Sequence, residues 1–177
     1  DILESFGPLV RQAYKTAPQA RLMLYAGDIV TSAHNEKQWH EWFTATGWLS
    51  STIAQMPAIG NHEYRGYNKR EHNANQKKQA VQWQPQFTLP QNGPDGIKET
   101  AYFFDYQGVR FITLNSNEKV QEQAYWLEDI LKNNHQEWTV ITFHHPIFKG
   151  AYHKDNKEIR DLWQPLFEKY GVDLVLT

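Results

Sequence analysis

Apolar and polar residues alternate along this chain in runs that change period several times, and the changes mark its elements. Leu3, Phe6, Leu9, Val10, Ala13 and Tyr14 recur at three- and four-residue spacings, which predicts an amphipathic helix ended by Pro18. Residues 21–26 form a short continuous apolar run, the signature of a buried parallel strand. Trp39, Trp42, Phe43, Thr46 and Leu49 return to the helical period and predict a second helix from about Asn35 to Ile53. Asn35 suits its N-cap, with Gln38 completing a capping box. A strand is expected at 56–59. Strand, helix, strand in this order makes a right-handed crossover, so the ends after 26 and 59 fall at one edge of the sheet.

Farther on, 101–106 and 109–114 alternate around Gln107-Gly108, a hairpin signal. A helix from about Val120 to Asn133 turns Ala124, Leu127, Ile130 and Leu131 inward. Strand 138–143, helix 157–170 and strand 172–176 complete the pattern. The expected architecture is α/β, with a mixed sheet and helices on the outside. Residues 65–96 break the rhythm with Arg65, Lys69, Arg70, Lys77 and Lys78, then with Pro85, Pro90 and Pro94. They read as a long loop whose cations either rim a site or are simply solvated.

Three apolar runs stop on polar side chains: Gly27-Asp28, Gly60-Asn61-His62-Glu63 and His144-His145-Pro146. Ligands in open α/β sheets sit just past the carboxyl ends of strands. A carboxylate, an amide and imidazoles delivered there form a donor set for divalent metals. Pro146 holds His145 extended and stops the strand in a fixed turn.

Composition narrows the field without redirecting it. With 177 residues the chain can bury a core as one domain. A net charge of −2 argues against a broad nucleic-acid face, and the absence of cysteine excludes disulfides and thiol chemistry. No apolar run is long enough to span a membrane.

In order and spacing, Gly27-Asp28, Gly60-Asn61-His62-Glu63 and Ile141-Thr142-Phe143-His144-His145-Pro146 resemble the motifs of the calcineurin-like metallophosphoesterases, most of all their purple-acid-phosphatase-like bacterial branch. The resemblance runs from about Leu9 to Thr177. It implies an α-β-β-α sandwich, here a partial one. The family's opening Asp-x-His and closing Gly-His-x-His motifs lie outside these residues, so 1–177 is expected to be the central part of one catalytic domain. The activity implied is hydrolysis of phosphate esters, chiefly small phosphomonoesters, by a hydroxide activated between two divalent metals (Mn, Fe or Zn). Phosphodiester hydrolysis, or a non-catalytic binding or scaffold role, are the alternatives.

By the same resemblance Asp28 bridges both metals, while Asn61 and His144 bind one of them. His62 either steadies the transferring phosphoryl group or protonates the leaving oxygen. His153 faces the substrate or is a solvated loop residue, and His145 supports the site or packs a turn. Glu63 holds an imidazole or a loop amide. The phosphatases with a purple ferric centre carry a tyrosine where Thr31 stands, so tyrosinate colour is not expected. Family members of this branch are commonly exported, which implies a periplasmic or secreted protein.

Overall fold

The computed structural model describes residues 2–65, 78–148 and 156–177. The chain clusters into two compact units, Asp1–Pro57 with Asn61–Phe87, and Ala58–Gly60 with Thr88–Thr177. The architecture is mixed α/β, as the apolar pattern predicts.

In the first unit, α1 (Ile2–Thr16) leads to β1 (Leu22–Tyr25). Helix α2 (Glu36–Thr46) follows, capped by Asn35, whose side chain accepts the Lys37 N–H. The predicted capping box does not form. Gln38 Oε1 instead accepts the N–H of Ser32, fastening the loop ahead of the helix. The single helix expected over 35–53 is two. Gly47, at φ +55°, closes α2 by donating to the Phe43 carbonyl, and α3 (Leu49–Thr52) restarts after it. Glycine enters that conformation without a Cβ penalty, so the break costs little.

Strand β2 (Ala54–Pro57) begins two residues earlier than expected and pairs in parallel with β1, from Leu22–Ala54 to Tyr25–Pro57. Val10, Leu49 and Ile53 are buried together, with Phe6, Tyr14 and Met23 packed against them. Trp39, Trp42 and Trp83 are fully buried. Within the stretch expected to be loop, β3 (Tyr64–Arg65) pairs antiparallel with β4 (Lys78–Gln79), and α4 (Trp83–Gln86) follows. The cationic residues 66–77 lie outside the described residues, as do the side chains of Arg65 and Lys78.

The second unit is built on β5 (Tyr102–Tyr106), β6 (Val109–Thr113), β7 (Trp138–Thr142) and β8 (Leu174–Leu176), in that order across one sheet. β5 is antiparallel to β6; β6, β7 and β8 run parallel. The hairpin turns at Gln107 and Gly108, both at positive φ, the geometry that two-residue hairpins favour. Among the described residues the predicted strands therefore divide between ladders instead of joining one sheet.

Helix α5 (Val120–Lys132) buries Ala124, Leu127, Ile130 and Leu131 as its spacing predicts. Each large aliphatic side chain so buried contributes about 1.5–3 kcal/mol. The helix expected at 157–170 is interrupted: α6 (Lys157–Leu162) gives way to α7 (Gln164–Lys169), with Pro165 in the first turn of the latter. Proline cannot donate to a preceding turn and so starts helices more readily than it continues them. Phe143 meets Trp163 edge-on at 5.3 Å, and the Trp163 indole donates to the Val120 carbonyl, tying the end of β7 to the helices.

Arg110 fastens the hairpin to the end of α5. Its guanidinium makes paired bonds to Asp105 (2.8 and 2.9 Å), and Nη1 donates to the Ile130 carbonyl. Those bonds hold the Asp105 carboxyl below the usual carboxylate range.

Alongside β5 runs a segment without a ladder of its own. Asn92 replaces a strand partner, its amide donating to the Phe103 carbonyl and its oxygen accepting the Phe103 N–H. Next to it, a Cβ on Gly93 would sit 1.8 Å from the Ala101 carbonyl oxygen. Backbone is the obstacle, so no rotamer relieves it. Gly93→Ala is expected to cost about 3 kcal/mol, the upper end of over-packing penalties, read as a fall in the denaturant midpoint. Gly108→Ala meets nothing within 4 Å and carries only the penalty of its positive φ, roughly 1 kcal/mol. Equal midpoints for the two variants would contradict the close approach.

Candidate functional site

Parallel pairing of β1 and β2 brings the carboxyl ends of both strands to one edge of the first unit. There the chain takes two consecutive positive φ values, +88° at Gly27 and +50° at Asp28. Aspartate tolerates this region better than most residues, yet the conformation persists only where the surroundings fix it. Glu63 does the fixing. Its fully buried carboxylate accepts the N–H of Asp28 (3.1 Å) on one oxygen and that of Val30 (3.3 Å) on the other. Glu63 thus holds loop amides, one of the two roles the sequence left open.

Asp28 in turn reaches back. Its Oδ1 accepts the backbone N–H of His62 at 3.0 Å, and its Oδ2 lies 3.5 Å from His62 Nε2. The His62 ring is fastened by Nδ1 to the carbonyl of Thr31, which can only accept, so the proton sits on Nδ1. Thr31 therefore serves through its backbone. No side-chain pattern signals such a role, and sequence reasoning missed it.

This arrangement bears on metal binding. Oδ2 of a carboxylate facing an imidazole nitrogen concentrates electron density at a partly exposed edge, where the Asp28 and His62 side chains are 28 % and 22 % accessible. Carboxylate oxygen, amide oxygen and imidazole are also the donors that Mn, Fe and Zn accept. Among the described residues, no three or more His, Asp or Glu side chains gather around one point, so this edge by itself is a partial donor set.

His144 belongs to the second unit, two residues past the last paired residue of β7. Its ring meets that of His145 edge-on, with centroids 4.9 Å apart. His145 is anchored: Ser116 Oγ accepts its backbone N–H at 3.0 Å and bonds its ring Nδ1 at 2.8 Å. Sequence reasoning passed over Ser116, although Asn115-Ser116-Asn117 ends an apolar strand in polar residues just as the other three motifs do. His153 lies outside the described residues. Asp28, Asn61 and His62 are thus brought together in one unit, and His144 is placed in the other.

Comparison with known proteins decides the family. The model of the calcineurin-like phosphoesterases matches residues 2–177. The chain belongs to that family. Purple acid phosphatase 13 of Arabidopsis thaliana is 28 % identical over 151 residues, covering 80 % of this chain and 26 % of that protein. An uncharacterised protein of Mycobacterium tuberculosis is 26 % identical over 162 residues, covering 79 % and 29 %. The chain therefore spans less than a third of the length of these relatives.

In fold it is similar to the purple acid phosphatase of yellow lupin (Lupinus luteus) seeds, with TM-score 0.76, 21 % identity, and 96 % of this chain against 32 % of that one. It is also similar, at TM-score 0.59 and 11 % identity, to GAP50, described as the anchor in the inner membrane complex of Plasmodium. That likeness covers 96 % of this chain and 58 % of the other. Among the described residues no helix is long and apolar enough to cross a membrane.

Proposed function

We propose that these residues belong to the catalytic domain of a metal-dependent phosphatase acting on small phosphomonoesters. The observation that carries the reading is the Asp28–Glu63–His62 cluster at the common edge of β1 and β2. A carboxylate held in a left-handed turn by a buried second carboxylate is costly to build for packing alone, and strain of this kind gathers at functional sites.

By the family resemblance alone, Asp28, Asn61 and His144 would hold two divalent ions, with Asp28 shared. When bound, those ions neutralise phosphate charge and lower the pKa of water. Everything else falls to the chain. Glu63 keeps the Asp28 loop in a single conformation, as partners of metal ligands do. His62, its Nδ1–H committed to Thr31, presents Nε2 as the atom that would donate to the leaving oxygen or to a phosphoryl oxygen when the ring carries a second proton there. His153 is proposed to face the substrate, by resemblance. A phenolate has no source at Thr31, so metal identity rests on the oxygen and imidazole donors.

One other reading has an observation behind it. The likeness to GAP50, an anchor, raises a binding role without chemistry. Turnover separates them. The full-length protein, loaded with Mn²⁺, Zn²⁺ or Fe²⁺ in turn, is expected to hydrolyse nitrophenyl phosphate faster than bis(nitrophenyl) phosphate. Faster diester hydrolysis would make it a diesterase, and metal binding without turnover of either ester would favour the anchor role.

A further inference from the structure

Strand pairing stops before two segments on which the metal reading depends. The β2 ladder ends at Pro57, before Ile59 and Gly60, and the β6–β7 ladder ends at Thr142, before His144 and His145. Within the second unit, Ser116 and Asn117, in the turn that follows β6, reach both segments.

Asn117 donates from Nδ2 toward the carbonyls of Gly60 (3.3 Å) and Ile59 (3.4 Å), and to Asn115 Oδ1 (3.1 Å). Ser116 Oγ accepts the His145 N–H and bonds its ring nitrogen. Gly60 is joined by its peptide bond to Asn61, and His145 to His144. One short turn is thus bonded to the chain beside two proposed ligands.

The turn is itself over-determined. Asn115 Oδ1 accepts the Asn117 N–H at 3.0 Å, closing a side-chain turn two residues long. Asn115 and Gln123 exchange two bonds, Asn115 N–H to Gln123 Oε1 (2.8 Å) and Gln123 Nε2 to the Asn115 carbonyl (2.7 Å). Asn115 Nδ2 donates to Thr100 Oγ1, whose hydroxyl donates on to the Ile97 carbonyl. Asn115 and Gln123 are fully buried and Thr100 nearly so. Burial makes each broken bond expensive, so a fully paired network of this kind admits one geometry.

We infer that the Asn115–Asn117 turn is a positioning element for metal binding, with Asn117 setting the Gly60 carbonyl ahead of Asn61 and Ser116 setting the His144–His145 turn. The inference rests on the metal-site reading above. Partners that orient ligands in this way typically account for about ten- to a hundredfold in metal affinity.

Calorimetric Mn²⁺ titration of the full-length protein tests it. Four variants are compared with the unsubstituted protein. Asn61→Ala tests the metal reading itself. Asn117→Asp turns the donor into an acceptor facing two carbonyls, and Asn117→Ala is a milder form that keeps the backbone bond to Asn115. Asn92→Ala is the control, losing a comparable side-chain pairing on β5.

The expected result is two Mn²⁺ sites in the unsubstituted protein. Asn61→Ala and both Asn117 variants should weaken one site at least tenfold and spare the other. Turnover of the Asn117 variants should recover in excess Mn²⁺, which a folding defect would not do. Asn92→Ala should lower the melting temperature and leave both sites intact. Affinity unchanged in both Asn117 variants, with Asn61→Ala impaired, overturns the inference and leaves the metal reading standing. Equal losses in Asn92→Ala also overturn it, by showing a general loss of stability. If Asn61→Ala binds as the unsubstituted protein does, the metal reading falls and the inference with it.

Discussion

Asp28→Asn is expected to remove nearly all turnover while leaving the fold in place. The reason is visible in how Asp28 is held. Its Oδ1 accepts the His62 N–H, and its own N–H is held by Glu63. An asparagine keeps the amide oxygen that makes the first bond and the backbone that makes the second. Only the charge is lost, at a side chain that is 28 % accessible and therefore weakly compensated by water. If Asp28 is common to two ions, that loss falls on both, and it should exceed the ten- to hundredfold typical of residues that merely support ligands.

Single removal of Arg65, Lys69, Arg70, Lys77 or Lys78 gives the comparison. A rim cation steers an anionic substrate, and salt screens it over roughly 8–10 Å. Turnover by Asp28→Asn and by each cation variant, at low and at physiological salt, should differ by at least tenfold, with similar melting temperatures. Equal losses would move the cationic segment into the catalytic centre.

His62→Ala and His144→Ala are expected to fail in different ways. His62 bonds the Thr31 carbonyl through Nδ1 and turns Nε2 toward the carboxylate of Asp28, a proposed ligand. Its removal should leave metal content near normal and slow turnover of alkyl phosphates by about a hundred- to ten-thousandfold, the usual weight of a general acid. Nitrophenyl phosphate has a good leaving group and needs little protonation, so its loss should be much smaller. His144→Ala should instead lose metal and recover partly in excess. Loss of metal in His62→Ala would make it a ligand. Equal loss for both esters would make it an electrostatic clamp on phosphoryl oxygens, which helps both alike.

Much of this was legible from the order of residues alone, for a physical reason. Amphipathic period reports which side of an element faces a core, so α5 could be placed with its four inward residues, and Gln107-Gly108 marked the hairpin because few residues enter its turn. The polar ends of the apolar runs likewise offered Asp28, Asn61, His62 and His144 as candidates, since polar groups that end apolar runs require partners. Boundaries were harder. Gly47 and Pro165 each cut a helix that hydrophobic spacing alone would continue, and β2 starts at Ala54 because its partner strand sets where pairing begins.

What the tertiary structure decided was which groups satisfy which. Glu63 meets the amide of Asp28 across 35 residues, Ser116 meets His145 across 29, and Asn117 meets the Gly60 carbonyl across 57. The Thr31 carbonyl that fixes the His62 ring is present in every residue type. Hydrogen-bond partners at such separations leave no periodic trace, because a donor carries no mark of its acceptor until folding closes the distance. The sequence therefore determined which side chains are the candidates for the chemistry, and only the fold determined what holds them in place.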